Sequence, residues 1–319
     1  MATYKGIRGH TIRTVAGDIS PVALGDIWYS NTTRKIRVGK TTAGAWATGG
    51  AVPVEVNSQA VGGTQTAAIN ASGTAPGGDT VNVQQYDGSS WTEIANVNTG
   101  RTGIRGTGTT TAFVTWGGSS PPEGLLTEEF DGSSWTEVSG SLNTSRYATA
   151  ATGTATAALA TGGNAHDPMS DANESYDGST WTELADLNTA RQAPASSGIT
   201  TAAICFGGGN PGYLDVSETW DDSSWTEGNN LNTARGYIMG TGTSVPGALA
   251  FGGRLPAGSA VTEQYDGSSW TEVADLSTAR GDGGGAGTQT LALAVSGQPP
   301  ATTAVEEWAL AQNVKVITD

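Results

Sequence analysis

The chain has one cysteine, Cys205, and two histidines, His10 and His166, among its 319 residues. A lone thiol excludes an internal disulfide framework, and so few thiols and imidazoles leave no cluster that would hold a metal. No metal and no cofactor is therefore expected. Charged residues make up only 14% of the chain, and no apolar run is long enough to span a bilayer. No stretch reads as an amphipathic helix. The opening MATYKGIRGHTIRTV lacks an apolar h-region and a small-residue cleavage site, so no signal peptide is expected. Basic residues are scarce outside the first 40 positions. Residues 1–40 hold seven (Lys5, Arg8, Arg13, Arg34, Lys35, Arg37, Lys40) against Asp18 and Asp26, a net +5, whereas the remainder holds eight basic and 28 acidic residues, a net −20. A surface that acidic repels phosphate backbones, which excludes nucleic acid as an expected partner of that region. Its charge is read as solubilising, with cation binding as the alternative.

Glycine is abundant, at 47 residues, and one phrase recurs. YDGSSWTE begins at Tyr86 and returns from Phe130, Tyr176, Trp220 and Tyr265 with small changes. Its tryptophans (Trp91, Trp135, Trp181, Trp225, Trp270) are 44, 46, 44 and 45 residues apart. A period of that size marks a solenoid or a propeller. Each unit runs through an LNTAR-like segment, a small-residue strand, a second strand ending in Gly, a variable stretch, a strand ending in an aromatic, an Asp-Gly turn and a strand opening on Trp. Four short strands per unit, labelled a to d, make one blade of a β-propeller. Asp-Gly between two such runs is a hairpin signal, because both central positions of the turn favour residues tolerant of positive φ.

Six units are expected from the ends of their second strands and from the strand-c aromatics Tyr86, Phe130, Tyr176, Trp220, Tyr265 and Trp308. The last unit lacks its tryptophan, and Trp46 stands unassigned ahead of the first. The simplest closure places strand 45–48 beside strand c at Trp308, which removes the open sheet edges. The rival closure uses Asn313 to Thr318, leaving the N-terminal hairpin and Trp46 to form a seventh blade. The expected fold is all-β, a six-bladed propeller over residues 46–309. Residues 1–45 are read as an arm and a β-hairpin (Gly25–Ser30 with Arg34–Val38), and residues 310–319 as a tail or extra strand. The basic arm either clamps to the acidic repeats or attaches to another subunit.

The repeated aromatics are read as core, since a fixed place in every blade suits packing better than ligand stacking. Arg101, Arg146, Arg191, Arg235 and Arg280 close the LNTAR segments, while Glu128, Glu174, Glu218, Glu263 and Glu306 stand two residues before the strand-c aromatics. In the first unit these positions are Val56 and Gln84, so both charges vanish together. Five structural ion pairs inside the blades are expected, because a buried charge left alone costs about 3–5 kcal/mol.

A Gly pair, an aromatic some 12 residues on, a Trp five later and an Arg ten after that resemble the kelch repeat, as in galactose-oxidase-like propellers. The YDGSSWTE and LNTAR wording, the stretch from TYKGI to GDIWYSNTT and the ending VKVITD are similar to kelch-like proteins of tailed phages, especially cyanophages. The resemblance implies a non-enzymatic virion protein, such as a tail fibre or decoration subunit used in host attachment. It would be made in the host cytoplasm, joined to other virion proteins through its arm, and present as a homo-oligomer on the particle. The copper site of galactose oxidase needs several His and Tyr ligands and a thioether-linked Cys, a set this chain lacks.

The b–c and d–a connections share one face of a four-stranded blade. The LNTAR segments barely vary and the b–c connections do, so binding residues are expected there. Candidates are His166, Asp167, Tyr213, Asp215 and Arg254, with Leu125 and Leu126; Arg105, Tyr147, Gln192, Tyr237 and Asp282 are candidates to line the channel. The partner would be a host surface glycan or receptor. The alternative is a glycan-active enzyme using a carboxylate pair, although nothing marks one pair above the rest.

Overall fold

The structure, a computed structural model, describes residues 13–15, 27–41, 44–119, 123–165, 169–310 and 312–316. The chain divides into two units, Trp46–Ala309 and the combination of Met1–Ala45 with Leu310–Asp319.

Trp46–Ala309 is a six-bladed β-propeller of four-stranded antiparallel sheets. Blade 3 serves as the type: strand a is Ala150–Thr154, b is Ala157–Thr161, c is Asn173–Tyr176 and d is Trp181–Glu183, paired in that order. The a–b turn is tight because Gly153 adopts φ +103°, and a Cβ there would lie 2.1 Å from the Ala157 carbonyl oxygen. The c–d turn is an aspartate turn. The Asp177 Oδ1 accepts from the backbone N–H of Ser179 and Thr180, both at 2.8 Å. The same bonds recur at Asp87, Asp131, Asp221 and Asp266. Those hydrogen bonds hold the Asp87, Asp131, Asp177 and Asp266 carboxyls down at about 2.

The core lies between neighbouring blades. Trp181 of blade 3 packs edge-on against Trp116 of blade 2, with ring centres 5.1 Å apart, and its indole N–H donates to Thr127 Oγ1. The repeated tryptophans are 5–8% exposed and the strand-c aromatics 0–4%, so both sets are core. At full burial each aliphatic or aromatic side chain contributes roughly 1.5–3 kcal/mol.

Ala45–Thr48 lies beside Val305–Ala309 as the fourth strand of blade 6. Trp46 makes the contacts of a strand-d tryptophan: its ring is 5.0 Å from Phe251 in blade 5, and its N–H donates to Thr262 Oγ1 at 3.1 Å. Blade 6 then meets blade 1 directly. Gln59 and Gln65 donate to the Val295 and Trp308 carbonyls at 3.2 and 2.6 Å, and a Cβ on Gly284 would run into Val61. That contact leaves no space for a seventh blade.

In the smaller unit, Ile27–Ser30 and Lys35–Thr41 form the expected hairpin about the turn at residues 31–34. Two further strands extend it. Arg13–Val15 pairs parallel to Ile27–Ser30, and Gln312–Val316 pairs antiparallel to Lys35–Thr41. The C-terminal strand therefore completes this sheet and takes no part in closing the ring.

Candidate functional site

Blades 1 and 3 to 6 place the d–a segment against their own b–c connection through single bridges such as Tyr147 with Asn164, Gln192 with Gly209 and Gly236 with Arg254, and in blade 2 the Ser119 N–H donates to the Thr102 carbonyl. The LNTAR segment is fixed there by a buried polar cluster. In blade 3 the Arg146 guanidinium donates to Glu174 Oε1 at 2.6 Å and to the Gly162 and Ala172 carbonyls. The other carboxylate oxygen accepts from the backbone N–H and the side chain of Asn143 at 2.7 and 2.9 Å. Equivalent pairs join Arg101 to Glu128 (2.8 Å), Arg235 to Glu263 (2.9 Å), Arg280 to Glu306 (2.5 Å) and Arg191 to Glu218. All ten side chains are at most 3% exposed. Burial pushes the Arg146 and Arg235 pKa values down while their glutamates pull them up. The Asn of LNTAR is a partner that reading the charges alone misses; its repetition three residues before each of four arginines was the available signal.

The residue two beyond each of these arginines, and two beyond Val56 in blade 1, has positive φ, and hydrogen bonds link these residues around the channel mouth. They are Ser58, Gly103, Ala148, Ala193, Tyr237 and Asp282 in blades 1 to 6. Their backbones form a chain of hydrogen bonds from blade to blade. Gly103 N–H donates to Ser58, Ala148 to Gly103, Ala193 to Ala148, Asp282 to Tyr237 and Ser58 to Asp282, all within 2.7–3.0 Å. Two members carry large polar or charged side chains despite the strain: Tyr237 at φ +50° and Asp282 at φ +58°. A bulky side chain at such a φ is uncommon, and strain of this kind is concentrated at functional sites.

Around that pair the mouth gathers polar groups from blades 1, 5 and 6, with others from blades 3 and 4 further along the rim. The Arg254 guanidinium carbon sits 4.4 Å from the centre of the Tyr237 ring, and Arg254 Nη2 is 3.4 Å from Asp282 Oδ2. Asp282 Oδ2 also accepts from Ser58 Oγ at 2.9 Å and from Gln298 Nε2 at 3.2 Å. Gln298 donates to Asn57 Oδ1 as well, and Asn164 donates to Gln192 Oε1. Tyr213, from the b–c hairpin of Gly209–Asn210 and Gly212–Tyr213, covers Gly236, where a Cβ would lie 2.7 Å from its ring. Burial, followed by the charge of Asp282, raises the Tyr237 phenol pKa, so the hydroxyl stays protonated.

Tyr213 and Arg254 of the loop candidates thus meet Tyr237 and Asp282 of the channel candidates, with Tyr147 and Gln192 on the same rim. Asp215 lies beyond this cluster: its carbonyl accepts from Leu231, and its side chain joins none of the rim hydrogen bonds among the described residues. Leu125, partly buried, packs on the core between blades 2 and 3. His166 and Asp167 lie outside the described residues. Asn57, Ser58 and Gln298 were not foreseen.

Inside, the channel is lined by strand a of all six blades. A wide section of about 400 Å³, walled by Gly, Ala and Thr, leads to a throat of about 70 Å³ where Arg105 lies. Cys205 is fully buried in strand b of blade 4, where burial pushes its thiol up to about 12 and keeps it protonated. Among the described residues, no group of His, Cys, Asp and Glu is arranged to hold a metal ion, and no helix is long and apolar enough to cross a membrane. No protein-family model matches the chain, and no curated protein matches it in sequence.

Proposed function

We propose that this chain is a non-enzymatic binding propeller that takes a surface glycan on its b–c face. The observation that carries this reading is the rim cluster of Tyr237, Arg254 and Asp282. Arg254 stacks on one face of the Tyr237 ring and is held by Asp282, which is itself held by Ser58 and Gln298. Tyr213 and Gln192 stand on the same rim. Aromatic rings beside amides and one charged pair suit a polar, hydroxyl-rich ligand, and a prearranged rim loses little entropy on binding. The repeat pattern and the YDGSSWTE and LNTAR phrases favour a kelch-type protein of a tailed phage particle. In that setting the N-terminal unit attaches the propeller to other virion proteins, and the rim meets the host surface.

The test is a glycan array with the full chain, followed by calorimetry on any hit. Tyr237→Ala should weaken binding at least about tenfold, or 1.4 kcal/mol. It should still fold, because alanine holds the same place as Ala148 and Ala193 in blades 3 and 4. Unchanged binding by this variant, or an array without hits, would overturn the glycan reading. Release of a cleaved product from a bound glycan would favour an enzyme instead. Deleting residues 1–40 should leave glycan binding intact and abolish incorporation into particles.

A further inference from the structure

The throat of the channel holds a cation whose place in the fold is unlike that of any other charge in the ring. Arg105 is the first residue of strand a in blade 2, paired with Trp116. The residues at the same register in the other blades are Ala60, Ala150, Ala195, Met239 and Gly284. Five of six blades therefore put an uncharged residue where blade 2 puts a guanidinium, so blade geometry does not require it.

Arg105 has no carboxylate within ion-pair distance among the described residues. Its Nη1 donates to the Ile104 carbonyl at 2.8 Å and to the Gln59 carbonyl at 3.4 Å. Its Nε and Nη2 make no hydrogen bond to described residues, and the side chain is only partly buried, so these donors are open to the channel. Burial lowers its pKa, and the charge of Asp282, already engaged by Ser58, Gln298 and Arg254, partly offsets this. Gln59 lines the same throat. It is 1% exposed, its Nε2 is committed to the Val295 carbonyl, and its Oε1 has no partner. Thr149 and Ser196 complete the polar lining. Guanidinium donors open to the channel, with no acid opposite them, suit an occupant that accepts from the arginine. The throat, about 70 Å³, has room for a small ion and a water but not for a sugar ring. The wide section of the channel shares its lining residues Val61, Gly106, Ala151, Ser196, Gly240 and Gly285 and provides the way in.

We infer that Arg105 makes the throat a binding site for one small oxyanion of carboxylate or phosphate type. The anion accepts from Arg105 Nε and Nη2. This site stands apart from the rim and does not depend on the glycan reading.

The test is isothermal titration of the full chain with sodium acetate and, separately, inorganic phosphate, at constant ionic strength in an anion-poor zwitterionic buffer. Wild-type protein should take up one equivalent of at least one of the two in a saturable manner. Acetate alone would mark a carboxylate site, phosphate alone a phosphate site. Arg105→Ala should bind at least about tenfold more weakly while keeping the wild-type circular dichroism, because alanine is the native choice in blades 1, 3 and 4. Equal uptake by that variant, or no saturable uptake of either anion by the wild type, would overturn the inference. As a check against a collapsed throat, Arg105→Lys should retain part of the affinity; a lysine variant that binds no better than the alanine one also counts against it.

Discussion

Blade 1 and blades 2 to 6 solve the same packing problem with opposite chemistry. In blades 2 to 6 a buried glutamate accepts from an arginine and from a backbone amide of the LNTAR segment, and in blades 2 to 5 also from the Asn side chain. In blade 1 the glutamate is Gln84, the arginine is Val56 and the Asn position is Pro53, which has no N–H to offer. Gln84 instead lies 3.5 Å from the Asn70 amide. The carboxylate and its donors disappear as a set. The blade fold therefore tolerates a neutral cluster, whereas a buried carboxylate without its donors is what it must avoid.

The largest expected effect comes from breaking one member of a charged cluster. Arg146→Met should destabilise the protein by about 3–5 kcal/mol, read from the denaturant midpoint, because Glu174 is left buried and charged. Adding Glu174→Met should recover part of that loss, as blade 1 suggests, with a coupling of about 0.5–3 kcal/mol. If the double variant is less stable than the single one, the comparison between blades fails.

A smaller effect separates blade 4 from its neighbours at the c–d turn. There Asp222 occupies the place of Gly88, Gly132, Gly178 and Gly267 and is held at φ +76°. Asp222→Gly should raise stability by about 1 kcal/mol, since the left-handed region costs a side chain roughly 1–2 kcal/mol. Thermal unfolding at neutral pH would measure it, and no gain would mean that the Asp222 side chain compensates for the strain.

The smallest effect is that of pH on the exposed aspartate turns. Their folded pKa values, about 2, lie below the ordinary value of 3.8, so they stabilise the fold fully above that value. That contribution is lost as pH falls from 3.8 through about 2. Carboxyl titration by NMR should show Asp87, Asp131, Asp177 and Asp266 protonating last among the exposed carboxylates. Ordinary values there would mean that the turn hydrogen bonds do not persist in solution.

Much of this was legible in the sequence. The period in the tryptophans located the blades, and the missing tryptophan after Trp308 pointed to Trp46 as the closing strand. The joint loss of charge at Val56 and Gln84 identified which arginine meets which glutamate. Each of these rests on a comparison between copies of one unit, where a departure at one position can be matched to a departure at another. The rim was legible only in part: Tyr213, Arg254, Tyr237 and Asp282 stood out as departures from the repeat, but nothing in the other copies shows that they meet.

The sequence by itself determined the all-β repeat and the ion pairs, since local turn chemistry and packing recur in every unit, and it put six blades closed by strand 45–48 ahead of the rival that the structure excludes. Only the tertiary structure decided that Ser58 meets Asp282 across 224 residues, that Arg254 stacks on Tyr237, and that Arg105 is left in a narrow throat without an acid. The physical reason is ring closure. It brings the first and last blades into contact and turns six inner strands toward one axis, so residues that no local rule connects become neighbours.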